Sequence, residues 1–440
     1  MVHFKTLNDF NVKNKTVIVR VDFNSEVNPQ TKQVTNSMRI HAHAQSTLKE
    51  LIEKGAKVVV LSHQGRIGEP DYTDLRQHTD ILEKILQHPV KYIDDLFNET
   101  AQNAIKQLQE GEIIVLKNVR SWSEETKKGT PEQQSKTALI QNIAPLADIF
   151  VNDAFSVAHR DNVSMVGFTT ILPSATGRIM ERELTQLNTV LENPQHPCIY
   201  VMGGAKADDS LEISKYILNN NVADKLLLGG IISQLFMTAK DLKLGKGTMD
   251  FLEKKELLNL IPGIKTLLEH YSDKIILPTD VALNINGERV EVLVNNLPSE
   301  HPIFDIGTKT VEKYVEIIST AQSIVVSGPL GVYENNNFCY GTKTIFETIA
   351  NSKTSSLAGG GNTIAALDKY NLTSKISYIS TAGGALVEAL MGKKLPGVVA
   401  LETATETKIL HNKPPPTAKK KNIFSLLIRI FLKKIESVHV

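Results

Sequence analysis

The feature that most constrains this chain is a repeated pairing. A short apolar run reads as a buried strand, a polar or glycine-rich loop comes after it, and a stretch with helical spacing comes after the loop. In the first half the runs are T-V-I-V-R-V-D-F-N after Lys15, Lys57 to Ser62, Glu112 to Leu116 and Asp148 to Val151. In the second half they are Cys198 to Met202, Lys225 to Leu228, Ile275 to Leu277, Ser323 to Val326 and Ser356 to Ala358. Strands that alternate with helices cannot pair as hairpins. They form βαβ units and mostly parallel sheets, whose ligands bind beyond the carboxyl ends of the strands.

The loops at the strand ends differ between the halves. The first half ends its strands in R-V-D-F-N, S-H-Q-G-R, K-N-V-R and N-D-A-F-S-V-A-H-R. These loops, with Arg39 at the start of a helix over Ile40 to Lys54, deliver Arg39, Arg66, Arg120 and Arg160 to ligand-facing positions. One such arginine is ordinarily a solvated charge; four at successive strand ends predict a shared anionic ligand, because guanidinium forks suit carboxylate and phosphate oxygens. The second half ends its strands in glycine: Gly203-Gly204-Ala205-Lys206, Gly229-Gly230, S-G-P-L-G-V-Y-E and G-G-G-N-T. Glycine lets backbone approach the phosphates and rings of a nucleotide closely. The turn after Met202 would offer amides, a helix N-terminus and the Lys206 ammonium to phosphate oxygens; alone, that string is an ordinary strand-to-helix turn. Between the halves, R-I-M-E-R-E-L-T-Q-L-N-T-V-L within Gly177 to Asn193 has helical spacing and predicts a joining helix.

Composition removes several function classes. Lys and Arg number 49 against 48 Asp and Glu, so no global field calls for nucleic acid. The two cysteines, Cys198 and Cys339, make no disulfide framework and fit a reducing cytoplasm. The N-terminus has no apolar signal core, and no run reaches the roughly 18 to 20 apolar residues that span a bilayer. Neither G-x-x-x-x-G-K-[ST] nor G-x-G-x-x-G at a first strand occurs. No zinc-spaced Cys/His set is present. His41 and His43, two apart at the start of a helix, are expected to be structural rather than metal ligands.

Taken in order, R-V-D-F-N, S-H-Q-G-R, N-V-R, V-N-D-A-F-S-V-A-H-R, G-G-A-K, G-P-L-G-V-Y-E and G-G-G-N-T resemble the phosphoglycerate kinase family, in particular its archaeal-type branch, over roughly Asp9 to Leu401. The resemblance implies an α/β fold of two Rossmann-like three-layer α/β/α lobes joined by a helix and hinge. It divides the chain into a first lobe over 1–178, an interdomain helix over 179–195, a nucleotide lobe over 196–385, a return segment over 386–402 and a tail over 403–440. It implies reversible phosphoryl transfer from 1,3-bisphosphoglycerate to ADP, giving 3-phosphoglycerate and ATP, with Mg2+ carried by the nucleotide phosphates and no dedicated protein metal site. Asp22, Phe23, Asn24, Arg39, His63, Gln64, Gly65, Arg66, Arg120 and Arg160 then match the acid-substrate positions. Gly203, Gly204, Ala205, Lys206, Gly229, Gly230, Pro329, Gly331, Val332, Glu334, Gly360, Gly361, Asn362 and Thr363 match the nucleotide positions, with Glu334 near the ribose hydroxyls. Arg39 and Lys206, one from each lobe, are expected to flank the migrating group. Such a transfer needs no general base, only positioning and charge stabilisation.

The chain departs from the family pattern in places. Ser210 stands where many members have a second lysine, Asn362 where aspartate is frequent, Ser327 for asparagine, Lys117 for an acidic residue, Ser121 for an aromatic, and Ala382 in a turn usually all glycine. Ala382 would cost about 1 kcal/mol if its position required a left-handed backbone. Lys117 is expected to face solvent. The tail runs through K-P-P-P-T-A-K-K-K into an apolar amphipathic stretch over 423–435, too short to span a bilayer but suited to its interface, with Lys419 to Lys421 near anionic headgroups. Docking on a protein surface is the alternative. The expected protein is a cytoplasmic monomer, peripheral at the membrane if the tail binds there. The rival function is a catalytically weakened homologue kept as a ligand-binding or membrane-associated scaffold.

Overall fold

The structure, a computed structural model, describes residues 4–412, with side chains through residue 404. The expectations for the linker and the apolar tail at 423–435 lie outside the described residues.

Two parallel sheets organise the chain. Strands β1 (Thr16–Arg20), β2 (Lys57–Leu61), β3 (Val90–Ile93), β4 (Ile113–Leu116), β5 (Ile149–Asn152) and β6 (Ser174–Thr176) form the first, in the order β3-β4-β2-β1-β5-β6, with every pair parallel. Their Val- and Ile-rich runs suit strands covered on both faces. Along β1, Val17 and Val19 enter one layer with Ile40, Ala44 and Leu48, while Ile18 enters the opposite layer with Ile140 and Phe150. That alternation makes the lobe three layers deep.

The second lobe repeats the plan. Strands β7 (Cys198–Met202), β8 (Lys225–Leu228) and β9 (Ile275–Ile276) run to one side of β13 (Ser323–Ser327), with β14 (Ser355–Gly359) and β15 (Tyr378–Ser380) to the other, in the order β15-β14-β13-β7-β8-β9, all parallel. A separate antiparallel sheet, β10 (Asp280–Ile285), β11 (Glu288–Leu293) and β12 (Ile303–Ile306), is an addition the apolar runs did not announce. Its signal was Asn286-Gly287, both at positive φ, the usual two-residue hairpin turn.

The expected joining helix runs from Arg178 to Leu191. It buries Met180, Leu184, Leu187 and Val190 against a core that contains both Phe155 of the first lobe and Leu386 of the second. Beyond β15 the helix Gly384–Leu390 leads to a segment that returns to the first lobe, where the Gly397 N–H donates to the Ala158 carbonyl at 2.9 Å. The loops beyond the strand ends of the two parallel sheets line cavities that share Gly383 and Gly384, while the joining helix and the return segment tie the two lobes together.

Candidate active site

The first-lobe wall of the cleft comes from the ends of β1, β2, β4 and β5. A cavity of about 660 Å³ there is lined by Asp22, Asn24, Arg39, His63, Gly65, Arg66, Arg120 and Arg160, with Ser156 and His159 beside them. The four predicted arginines are thus brought together. Phe23 and Gln64 are not in the lining. Phe23 alternates inward with no exposure, and its N–H donates to Ser62 Oγ at 2.9 Å. Gln64 is spent holding loops: its Oε1 accepts from the Ser25 N–H at 2.8 Å and its Nε2 donates to the Asp71 carbonyl at 2.9 Å. Both shape the pocket from behind. Arg20 is fully buried and also stands behind the wall, its Nε donating to Ser164 Oγ at 2.8 Å and its Nη2 lying 3.1 Å from His63 Nδ1.

Asp22 is the hub. Its Oδ2 accepts from Arg39 Nη1 at 2.6 Å and from the Ser156 hydroxyl; its Oδ1 accepts from the Asn24 N–H at 2.9 Å. Burial pushes this carboxyl up, but His63 and Arg39 beside it and the Ser156 and Asn24 hydrogen bonds outweigh burial and leave it below the ordinary carboxylate range. His63 is itself pushed well down, first by burial and then by Arg20, Arg120 and Arg39 against the pull of Asp22. Arg39 is the guanidinium that bonds this carboxylate directly.

The other arginines repel one another. Arg120 is lowered to about 10 by burial and by the charges of Arg20, Arg160 and Arg66, and Arg160 is lowered by burial and Arg66. The Asn118 side chain, which strand-end counting did not single out, fixes Arg120: Asn118 Oδ1 accepts from the Arg120 N–H at 3.0 Å, while Arg120 Nη1 donates to the Gly65 carbonyl at 2.6 Å. Lys117 stands outside the pocket, 3.2 Å from Asp94. A cationic pocket built at this internal cost is relieved by a multiply charged anion.

The second-lobe wall is made of backbone. A Cβ on Gly203 would overlap the Pro329 carbonyl, one on Gly328 the Gly203 carbonyl, and one on Gly230 would crowd the Gly204 N–H. The loops after β7, β8 and β13 therefore stack at a distance only glycine permits, tied by Gly204 N–H to the Pro329 carbonyl at 2.6 Å and Gly230 N–H to the Leu330 carbonyl at 2.7 Å. A cavity of about 360 Å³ opens on them, lined by Gly203, Gly204, Ala205, Lys206, Asp209, Ser210, Pro329, Gly360, Gly361, Asn362 and Thr363. Lys206 is exposed and caps the helix Ala207–Asn219, and Gly360 caps the helix Gly361–Lys369, so two helix N-termini meet this cavity. Thr363 Oγ1 is partly committed, accepting from the Gly328 N–H at 2.7 Å. Gly229, Gly230, Gly331, Val332 and Glu334 lie outside its lining; Val332 and Glu334 are exposed on the loop beyond β13.

The two cavities share a wall, Gly383 and Gly384. Counting strands one lobe at a time gave no reason to select these residues, since they matter only where the lobes meet. Gly383 takes positive φ, whereas Ala382 does not and is buried, so the alanine carries no left-handed strain. His41 is exposed and His43 buried, so the two do not gather as metal ligands. Among the described residues no group of three His, Cys, Asp or Glu side chains is placed to hold a metal, and no helix is long and apolar enough to cross a membrane.

A pocket of arginines that meets a glycine-backbone pocket across a common seam is the arrangement of a two-lobed transferase. The comparisons carry this to a family. The family model described as phosphoglycerate kinase matches residues 7–393. The phosphoglycerate kinase of Methanobacterium bryantii is 44% identical over 406 residues, covering 92% of this chain and 98% of that protein. That of Pyrococcus furiosus is 41% identical over 404 residues, covering 91% and 98%. The crystal structure of phosphoglycerate kinase from Pyrococcus horikoshii superposes with a TM-score of 0.81 at 39% identity, covering 91% of this chain and 99% of that one. The structure from Coxiella burnetii gives a TM-score of 0.79 at 32% identity, again covering 91% and 99%. The chain belongs to the phosphoglycerate kinase family, and the archaeal likeness read from its motifs is borne out by these relatives.

Proposed function

We propose that the chain transfers a phosphoryl group reversibly between 1,3-bisphosphoglycerate and ADP, giving 3-phosphoglycerate and ATP. The observation that carries this reading is the pair of cavities with unlike walls, one of arginines and one of glycine backbone, meeting at Gly383 and Gly384. The acid sits among Asn24, His63, Arg66, Arg120 and Arg160, and the nucleotide phosphates lie over the Gly203–Gly204 turn and the Gly360–Gly361 helix start. Arg39 and Lys206 approach the migrating group from opposite lobes. The accepting carboxylate is already ionised, so transfer rests on alignment and charge stabilisation as the lobes close and water leaves.

Asp209 and Asn362 bring oxygen donors to the phosphate cavity, which suits a Mg2+ ion carried by the nucleotide. When bound, that ion offsets phosphate charge. One copy supplies both walls, which suits a monomer, and its free cysteines suit the cytoplasm. Contact of the 423–435 segment with anionic membrane remains part of the proposal on its sequence pattern; co-sedimentation with anionic liposomes, compared with a chain ending at Thr403, tests it. The scaffold alternative gains nothing from the described residues, since the cavities keep both Arg39 and Lys206. The functional test is a coupled assay with 3-phosphoglycerate and Mg-ATP. Turnover that requires both supports the reading; binding of both without turnover would return the scaffold.

A further inference from the structure

The helix that carries Arg39 also sends a polar side chain inward. It runs as α-helix over Met38–His43, widens to a π turn over Ala44–Leu48 and resumes over Lys49–Glu53. Such turns are frequent at functional positions. His43 is 4% exposed and its ring lies between two groups. Nε2 is 3.2 Å from the Asp22 backbone N–H, and Nδ1 is 2.7 Å from Asp153 Oδ2. A backbone N–H only donates, so Nε2 accepts; the ring proton is then on Nδ1 and is donated to Asp153.

Asp153 is fully buried and uses its second oxygen on the interlobe helix. Oδ1 accepts from the Ile179 N–H at 2.8 Å and the Met180 N–H at 3.1 Å, satisfying two first-turn donors of the helix Arg178–Leu191. Gly177, at the cap, is glycine for a reason: a Cβ there would overlap the Asp153 carboxyl. A cavity of about 130 Å³ flanks the chain of bonds, lined by Asp22, Arg39, His43, Asp153 and Ile179, and also by Thr381 of the second lobe. The hydrogen-bond path therefore runs from Arg39 to the Asp22 carboxylate, through the Asp22 backbone to His43, then to Asp153 and the N-terminus of the helix that joins the lobes.

We propose that His43 is a positioning residue that couples occupancy of the acid site to the interlobe helix, a role that rests on the proposed function and adds to it the means by which the acid prompts closure. An acid that draws Arg39 from Asp22 shifts the Asp22 loop, and the His43–Asp153 bonds carry that shift to the helix. No burial gain accounts for the arrangement. Two buried polar side chains serve a fold more cheaply when replaced by apolar ones, whereas here the bonds run from the Asp22 loop of the acid pocket to the first turn of the helix joining the lobes.

The test uses the full chain with three substitutions. His43→Gln keeps an acceptor near the Asp22 N–H and loses Asp153; His43→Asn keeps a donor near Asp153 and loses Asp22; Gly177→Ala displaces Asp153 from the helix while touching neither His43 nor the acid pocket. Three readouts are taken: 3-phosphoglycerate affinity by calorimetry, kcat at saturating Mg-ATP, and compaction by small-angle scattering on adding 3-phosphoglycerate. We expect affinity within about threefold of wild type, kcat lowered about tenfold, the usual size of a coupling between sites, and compaction lost. Gly177→Ala keeps the test open if the His43 variants do not fold. Wild-type kcat and compaction in the folded variants would overturn the coupling alone, as would affinity and kcat falling together in step with melting temperature. A wild-type protein that neither binds nor turns over 3-phosphoglycerate would overturn the proposed function and the coupling with it.

Discussion

Nη1 of Arg39 stands 2.6 Å from Oδ2 of Asp22, so the guanidinium that faces the cleft is aimed before any ligand arrives. Asp22 is almost fully buried while Arg39 is about one third exposed on its side chain, 38% against 5%. The carboxylate is the fixed partner and the arginine the presented one.

Arg39→Ala should therefore cost chemistry more than nucleotide binding. A positioned arginine in phosphoryl transfer is worth on the order of 10³-fold in rate, and a fall of about that size in kcat is expected. Calorimetric titration with ADP should give a Kd close to wild type. A parallel loss of ADP affinity would contradict the assignment of Arg39 to the acid side.

Lys206→Ala should show the opposite weighting. Lys206 is exposed at the mouth of the glycine-lined cavity, where Ser210 contributes no second charge. Nucleotide affinity and kcat should both fall, while 3-phosphoglycerate affinity holds. An unchanged ADP titration would remove Lys206 from the phosphate site.

Gly203→Ala tests the backbone-built wall. The new methyl would meet the Pro329 carbonyl, a backbone atom with little freedom to yield. Overpacking of this kind costs about 1–3 kcal/mol, and the loops after β7 and β13 should part. The expected result is a lowered melting temperature together with weakened ADP binding and intact 3-phosphoglycerate binding. Normal ADP affinity would mean that the stacked loops are not the nucleotide platform.

Much of this was legible in the sequence because apolar runs betray strands and strand ends betray sites. The four arginines converge as their loop positions imply, and the glycine loops form one cavity. Phe23 and Gln64 could not be separated from their lining neighbours, because strand-end position does not reveal whether a side chain faces cleft or core. Gly383 and Gly384 were invisible for another reason: they join the acid pocket only through the meeting of two lobes. The antiparallel hairpin was missed although Asn286-Gly287 marked it, since its second strand, Glu288–Leu293, is largely exposed and lacks an apolar run.

A pH-dependent effect is expected at the lobe junction. Glu183 is 3% exposed, its Oε2 has no hydrogen-bond partner, and burial raises it from 4.5 to about 7 despite weaker pulls from Ser380 and Tyr378. Between those values the folded protein holds a proton that the unfolded chain has released, so this group's contribution to stability declines as pH rises through the window and is flat above it. Glu183→Gln should therefore gain stability relative to wild type on going from pH 5 to pH 8, by up to about 3 kcal/mol at 1.36 kcal/mol per unit. Melting curves of the two proteins at both pH values decide it; a constant difference would mean that Glu183 stays ionised throughout.

The central claim, transfer of a phosphoryl group to a carboxylate at the seam of two unlike pockets, is tested most directly by trapping its product. With 3-phosphoglycerate and Mg-ATP in the presence of hydroxylamine, an acyl phosphate is captured as a hydroxamate. The account predicts hydroxamate formed one for one with ADP, dependent on both substrates and reduced in Arg39→Ala. ADP released without hydroxamate, or no ADP despite binding of both ligands, would contradict it.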